Sequence, residues 1–177
     1  MTMSLRKNLI AISGAVVLAG CQASAPPLQT VDYVDLERFM GDWYVIANIP
    51  TFVEKGAHNA IESYRLDDDG SIATTFTFRK DAFDGPQKEY KPRGFVRDTV
   101  SNAEWGMQFI WPFKGDYRII FLDEDYSTTI IGRNKRDYVW LMSRQPDMPG
   151  TEYEAAVKFI ENAGYDVSAL KRVPQQW

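Results

Sequence analysis

"EWGMQFIW", residues 104–111, alternates along its whole length. Trp105, Met107, Phe109 and Trp111 fall on one side of an extended chain, and Glu104, Gly106, Gln108 and Ile110 on the other. A period of two, with large apolar residues on one side, marks a strand with one face turned to an interior. Seven more runs have strand-like composition: "WYVIANI" (43–49), "NAIESYRL" (59–66), "SIATTFTF" (71–78), "KEYKPRGFV" (88–96), "YRIIFL" (117–122), "YSTTIIG" (126–132) and "YVWLMS" (138–143). Turn formers separate them at Asp67 to Gly70, Asp84-Gly85-Pro86, Lys114-Gly115-Asp116 and Asn134 to Asp137. Short connections favour antiparallel pairing between sequence neighbours. The expectation is an all-β fold, an eight-stranded antiparallel up-and-down barrel able to hold one small ligand. A two-sheet sandwich satisfies the same strand count.

One helix follows the strands. "TEYEAAVKFIENAG" (151–164) opens with Thr151 and Glu154 in capping-box spacing, and Gly164 fits the position past its end. Tyr153, Val157 and Ile160 share a face that needs an apolar surface. Run 138–143 offers one, because Val139 and Leu141 oppose Tyr138, Trp140 and Met142. The C-terminal α-helix is therefore expected to pack outside the barrel. Ile120 and Leu122, on the outer side of their strand, fit contact with this helix, contact with a partner subunit in a homodimer, or ordinary surface apolarity.

The same parity names the interior. Phe76 and Phe78 share a side with Ile72. Arg118 belongs outside, which turns Tyr117, Ile119 and Phe121 inward. Tyr138 and Trp140 follow in the last strand. The expected lining of a small-molecule pocket is Phe76, Met107, Phe109, Trp111, Tyr117, Ile119, Tyr138 and Trp140. The same residues also fit a filled core.

The N-terminus carries a different message. Arg6 and Lys7 precede an apolar run, Leu9 to Ala19, too short to span a bilayer. It reads as a secretory signal peptide over residues 1–20. The chain's one cysteine, Cys21, stands directly behind it. Loss of the leader leaves 18 basic against 24 acidic residues, a net charge of −6. That balance opposes binding to nucleic-acid phosphates. Residues 21–32 read as anchor and flexible tether, with "QASAPPLQT" (22–30) small and polar. Residues 33–177 form the domain.

Little points to catalysis. His58 is the single histidine and reads as a loop residue. Asp67, Asp68 and Asp69 read as a solvated turn rather than a calcium site. No G-x-S-x-G, H-E-x-x-H or Walker pattern is present in the sequence. No cofactor and no metal are called for.

Two resemblances sharpen the reading. Leu18-Ala19-Gly20-Cys21 resembles the bacterial lipoprotein box, which implies a diacylglyceryl thioether on Cys21, cleavage before it, and a thiol unavailable for other chemistry. Several acyl chains hold a protein to a bilayer stably. Gln22, by resemblance to enterobacterial sorting, implies the outer membrane, with the domain facing the periplasm. Gly41-Asp42-Trp43-Tyr44 is similar to the G-x-W-Y motif of lipocalins. Asp125-Tyr126 is similar to their second motif, although Glu124 stands where that motif has Thr. Arg144 closes the last strand as in the third. The combination resembles bacterial outer-membrane lipocalins. It implies that Trp43 plugs a closed barrel end, that Arg144 lies over it, and that the protein is not an enzyme. The implied role is to bind, store or transport fatty acids or lysophospholipids in the cell envelope. An enzyme acting on a membrane-derived lipid or isoprenoid, and a filled structural barrel, are the alternatives.

Overall fold

The computed structural model describes residues 26–177. The leader and Cys21 lie outside the described residues. The strands are β1 (Gly41–Ile49), β2 (Ala57–Leu66), β3 (Ser71–Lys80), β4 (Gln87–Tyr90), β5 (Arg93–Val96), β6 (Glu104–Ile110), β7 (Phe113–Leu122), β8 (Thr128–Gly132), β9 (Val139–Ser143) and β10 (Lys171–Arg172). Neighbours pair antiparallel in chain order, and β9 returns to β1, so the sheet closes on itself. Closure rules out the sandwich. β4 and β5 both pair with β3 and make one stave, broken at Lys91-Pro92, where proline has no N–H for the ladder. The barrel thus has eight staves, as the strand count predicts.

Up-and-down order fixes two ends. The turns after β2, β5 and β7 lie at one end, and those after β1, β3, β6 and β8 at the other. The first end is sealed by α1 (Leu36–Phe39), a single turn too short for periodicity to reveal. Asp35 caps it by accepting from the Glu37 and Arg38 amides. Phe39 is fully buried, 5.1 Å from the Trp43 ring and 5.5 Å from Trp105.

Before α1 the chain runs down the barrel wall. Leu28 N–H donates to Asn134 Oδ1 at 2.8 Å, in the turn after β8. Val31 then donates to Ile119 O and Val34 to Ser101 O. Leu28 is buried, so the chain is already packed from that residue onward, within the stretch expected as tether.

The helix, α2, spans Gly150–Asn162 and packs outside the barrel. Ile160 is buried in one cluster with Ile120, Ile130, Val139, Leu141 and Tyr165. Val139 and Leu141 therefore face the helix as expected, and Ile120 joins them there. The capping box is a correction. Pro149 is the N-cap and Thr151 lies inside the first turn, so its side chain makes no cap bond. Two backbone bonds close the other end, Gly164 N–H to Glu161 O and Tyr165 N–H to Ile160 O. This pattern needs a left-handed residue, and Gly164 has φ +92°.

The last residues repair a gap. β1 pairs β2 only through Gly41–Tyr44 and pairs β10 through Ala47 and Asn48. Asn59 of β2 donates to Pro174 O, so the C-terminal segment fills the wall where β1 and β2 separate.

Candidate functional site

The closed end is built on Trp43 and Arg144. The Trp43 indole N–H donates to Phe39 O at 2.8 Å. The Arg144 guanidinium lies 3.8 Å from the Trp43 ring centroid. It donates to Arg38 O, Phe39 O and Met40 O at 2.9–3.1 Å, and to Asp42 O at 2.7 Å. A helix leaves its last carbonyls without intrahelical partners. One planar cation with five donors satisfies those of α1 and stacks on the plug at once. Gly41 has φ +93°, and a Cβ there would lie 3.4 Å from Arg144 Nη1, so glycine serves both turn and contact.

The flanking motif residues divide. Tyr126 accepts from Asp35 N–H at 2.8 Å and stacks under Arg38 at 4.0 Å. Its carbonyl receives Arg144 Nε at 3.3 Å. Asp125 is exposed, and the turn is held instead by Asp123, which accepts from the Ser127 and Thr128 amides. Tyr44 faces outward, 5.3 Å from the Trp177 ring.

Above the plug lies a cavity of about 500 Å³, open at the far end. Its floor is Glu62, Thr74, Met107 and Tyr117, and its walls include Phe76, Tyr138 and Trp140. The barrel is therefore hollow above its closed end. Six of the eight residues expected to line it do so, with Phe109 at the rim. Two do not. Ile119 is fully buried lower down, in the core around Trp105, with its backbone bonded to Ala103 and Val31. Trp111 sits on the β6–β7 hairpin tip and is 81% exposed. Strict alternation fails there because the pairing slips between Met107 and Ile110. A second slip, between Ile119 and Phe121, sends Phe121 outward against Phe159 of α2 and turns Leu122 toward the core. The inward assignment of Phe121 is thereby corrected.

The rim is apolar and bare. Phe52 is 85%, Phe113 75%, Ile110 72% and Phe109 62% exposed. Four large apolar side chains around one mouth form a patch that a freely soluble surface seldom carries.

The carboxyl groups inside were not legible in the sequence. Glu54, from the loop after β1, accepts from Trp140 Nε1 at 2.6 Å and Thr51 N–H at 2.7 Å. Glu62 accepts from the Tyr64 hydroxyl, which lies 2.8 Å from that of Tyr117. Burial is the main cause that pushes the Glu62 carboxyl up to about 7, with Glu54 adding to it and the Tyr64 hydrogen bond opposing. Alternation places Glu62 on the inner face, but nothing in its neighbours marks it as buried rather than lost among surface charges. Among the described residues the lining holds one cation, Arg133 at the rim, paired with Asp137 at 3.4 Å. His58 lies at the start of β2, edge-on to Phe83 at 5.0 Å, and no three metal-ligating side chains gather among the described residues.

Known proteins share this fold and much of the sequence. A family model, the lipocalin-like domain, matches residues 34–175. The outer membrane lipoprotein Blc of Escherichia coli K12 is 27% identical over 176 residues, covering 98% of both chains. Temperature-induced lipocalin-1 of Arabidopsis thaliana is 31% identical, covering 84% of this chain and 83% of its own. Insecticyanin from the tobacco hornworm shares the fold, with a TM-score of 0.65 at 16% identity over 84% of each chain. The family model spans nearly the whole barrel domain, and the chain belongs to the lipocalin-like family.

Proposed function

We propose that this protein is a lipid carrier of the bacterial envelope. Acyl chains on Cys21 hold it to the outer membrane, and its barrel takes fatty acids or lysophospholipids. The observation that carries this reading is the apolar cavity of about 500 Å³ opening through an exposed apolar rim. A buried alkyl chain gains about 0.8 kcal/mol per CH₂, enough for a short tail to support micromolar binding after association costs.

The path of the N-terminal segment supports the pairing of anchor and mouth. Pro26 O accepts from Arg136 Nη2 at 2.7 Å, in the open-end turn after β8. Cys21 lies five residues earlier, a reach of at most about 17 Å. A lipid on Cys21 therefore keeps the mouth close to the bilayer, where Phe52, Ile110 and Phe113 meet acyl chains rather than water. The Escherichia coli relative is an outer membrane lipoprotein, which agrees with that location. We assign the protein no reaction and read it as a binding protein.

The test is a titration of residues 21–177 carrying Cys21→Ser with a fatty acid and a lysophospholipid. Saturable change in tryptophan fluorescence, weakened by Trp140→Ala or Phe109→Ala in variants that still fold, is expected. No saturable binding of either lipid below its critical micelle concentration contradicts the proposal.

A further inference from the structure

We infer that the cavity selects, among single-chain lipids, those whose buried end carries a hydrogen-bond donor, an amine or a hydroxyl, over those that end in a carboxylate. This rests on the carrier reading above and ranks, among the single-chain lipids that the same cavity takes, the polar groups its floor favours.

The floor decides it. Tyr64 has one hydroxyl proton, and it goes to Glu62. The 2.8 Å contact between the two phenols must then be donated by Tyr117. Both phenolic protons point toward Glu62, and what remains facing the cavity is acceptor capacity, on Tyr117 and on the second Glu62 oxygen. No hydrogen bond among the described residues reaches that oxygen. Glu62 is enclosed by protein, and its accessible part is the part that faces the cavity.

Once a lipid fills the cavity and displaces solvent, an acceptor left without a donor is costly, and a donor that reaches a carboxylate gains more than one that reaches a neutral group. An amine or hydroxyl at the deep end supplies that donor. A carboxylate brings a like charge beside Glu62, with Glu54 as a second acidic neighbour. A site built for a carboxylate would be expected to hold a deep Arg or Lys. Here Arg133 belongs to the turn after β8 at the open end, away from the floor; it is bridged to Asp137 at 3.4 Å through one terminal nitrogen, and its Nε is buried without a partner among the described residues. Thr74 is the other floor hydroxyl, and its nearest partners are Ile72 O at 3.5 Å and the Met107 sulfur at 3.9 Å.

The groups that face Glu62 are few. Tyr64 comes from its own strand, Tyr117 from β7 and Glu54 from the loop after β1. Trp43 of β1 and Phe76 of β3, its cross-strand partners, do not titrate. As pH falls through the Glu62 transition near 7, the carboxyl becomes neutral and gains a proton to donate. Preference for an amine then weakens, and tolerance of a carboxylate rises.

The experiment uses dodecylamine, 1-dodecanol and dodecanoate, which share one chain length, against residues 21–177 with Cys21→Ser. Each displaces a fluorescent fatty probe, read at pH 8.5 and pH 6. At pH 8.5 the amine and the alcohol are expected to bind about tenfold or more tighter than dodecanoate. Acidification should strengthen dodecanoate, weaken the amine most and weaken the alcohol less. Glu62→Gln should narrow the gap and flatten the slopes. The wild-type slopes stand on their own if that variant does not fold. Dodecanoate binding as tightly as the alcohol at pH 8.5, or parallel pH slopes for all three, overturns the inference and leaves the carrier reading intact. Failure of all three to bind overturns both.

Discussion

The two ends of the barrel are made of similar residues put to opposite uses. At the closed end Phe39, Trp43 and Trp105 are wholly buried, and Arg144 spends its donors on backbone carbonyls that have no other partner. At the open end Phe52, Ile110 and Phe113 stand in solvent, and the carboxyl groups of Glu54, Glu62 and Asp116 line the space below them. One end is satisfied within the chain. The other leaves apolar surface and acceptors unsatisfied, which is the condition of a surface that waits for a ligand or a membrane. Stability is therefore concentrated where the chain closes, and binding where it does not.

Substitutions should follow that division. Trp43→Ala empties the plug site and is expected to cost about 3–5 kcal/mol in urea denaturation. Arg144→Ala strips the stacked cation and leaves the α1 carbonyls bare, at about 2–4 kcal/mol. Arg144→Lys should recover only part of this, because an ammonium lacks the planar fork. A loss near that of a surface change in either Ala variant would break the contrast from the closed side.

Glu62 sharpens it from within. Its carboxyl rises from 4.5 to about 7 on folding, so the folded chain holds a proton that the unfolded chain releases. The stabilisation is full below pH 4.5 and is lost as pH rises through 7, amounting to at most about 3 kcal/mol. Wild type should lose that much relative to Glu62→Gln between those limits, as followed by denaturation at several pH values. Identical pH profiles would show that the floor carboxyl is not held in an unfavourable site.

The rim gives the smallest effect on stability. Trp111→Ser and Phe113→Ser together should shift the denaturation free energy by no more than about 0.5 kcal/mol, the usual range for surface positions. The same pair should markedly weaken sedimentation of the unacylated chain with phospholipid vesicles. Unchanged vesicle binding would separate the apolar mouth from any membrane contact.

The closed end was the legible one. Trp43 and Arg144 belong to short patterns whose roles are local, and the strand count with short turns predicts a closed sheet. Period-two alternation puts Phe76, Met107, Tyr117, Tyr138 and Trp140 on the inner face, where they line the cavity. It failed where a slipped register breaks the period, which put Trp111 on a hairpin tip and Phe121 under α2. No local rule predicts such slips, because they depend on how two strands meet. α1 was missed for its length, and Glu54 because it reaches Trp140 from a loop. Glu62 alternates like a pocket residue, yet a carboxyl is read as surface until its neighbours in space are known.

Native mass spectrometry of the protein taken from its own envelope tests the central claim most directly, since it reports the acyl anchor and any held ligand together. The account predicts a mature chain beginning at Cys21 with added acyl mass, and a further mass of one single-chain lipid that is released on activation. A chain with no acyl addition and no lipid mass, from an envelope rich in both, would contradict it.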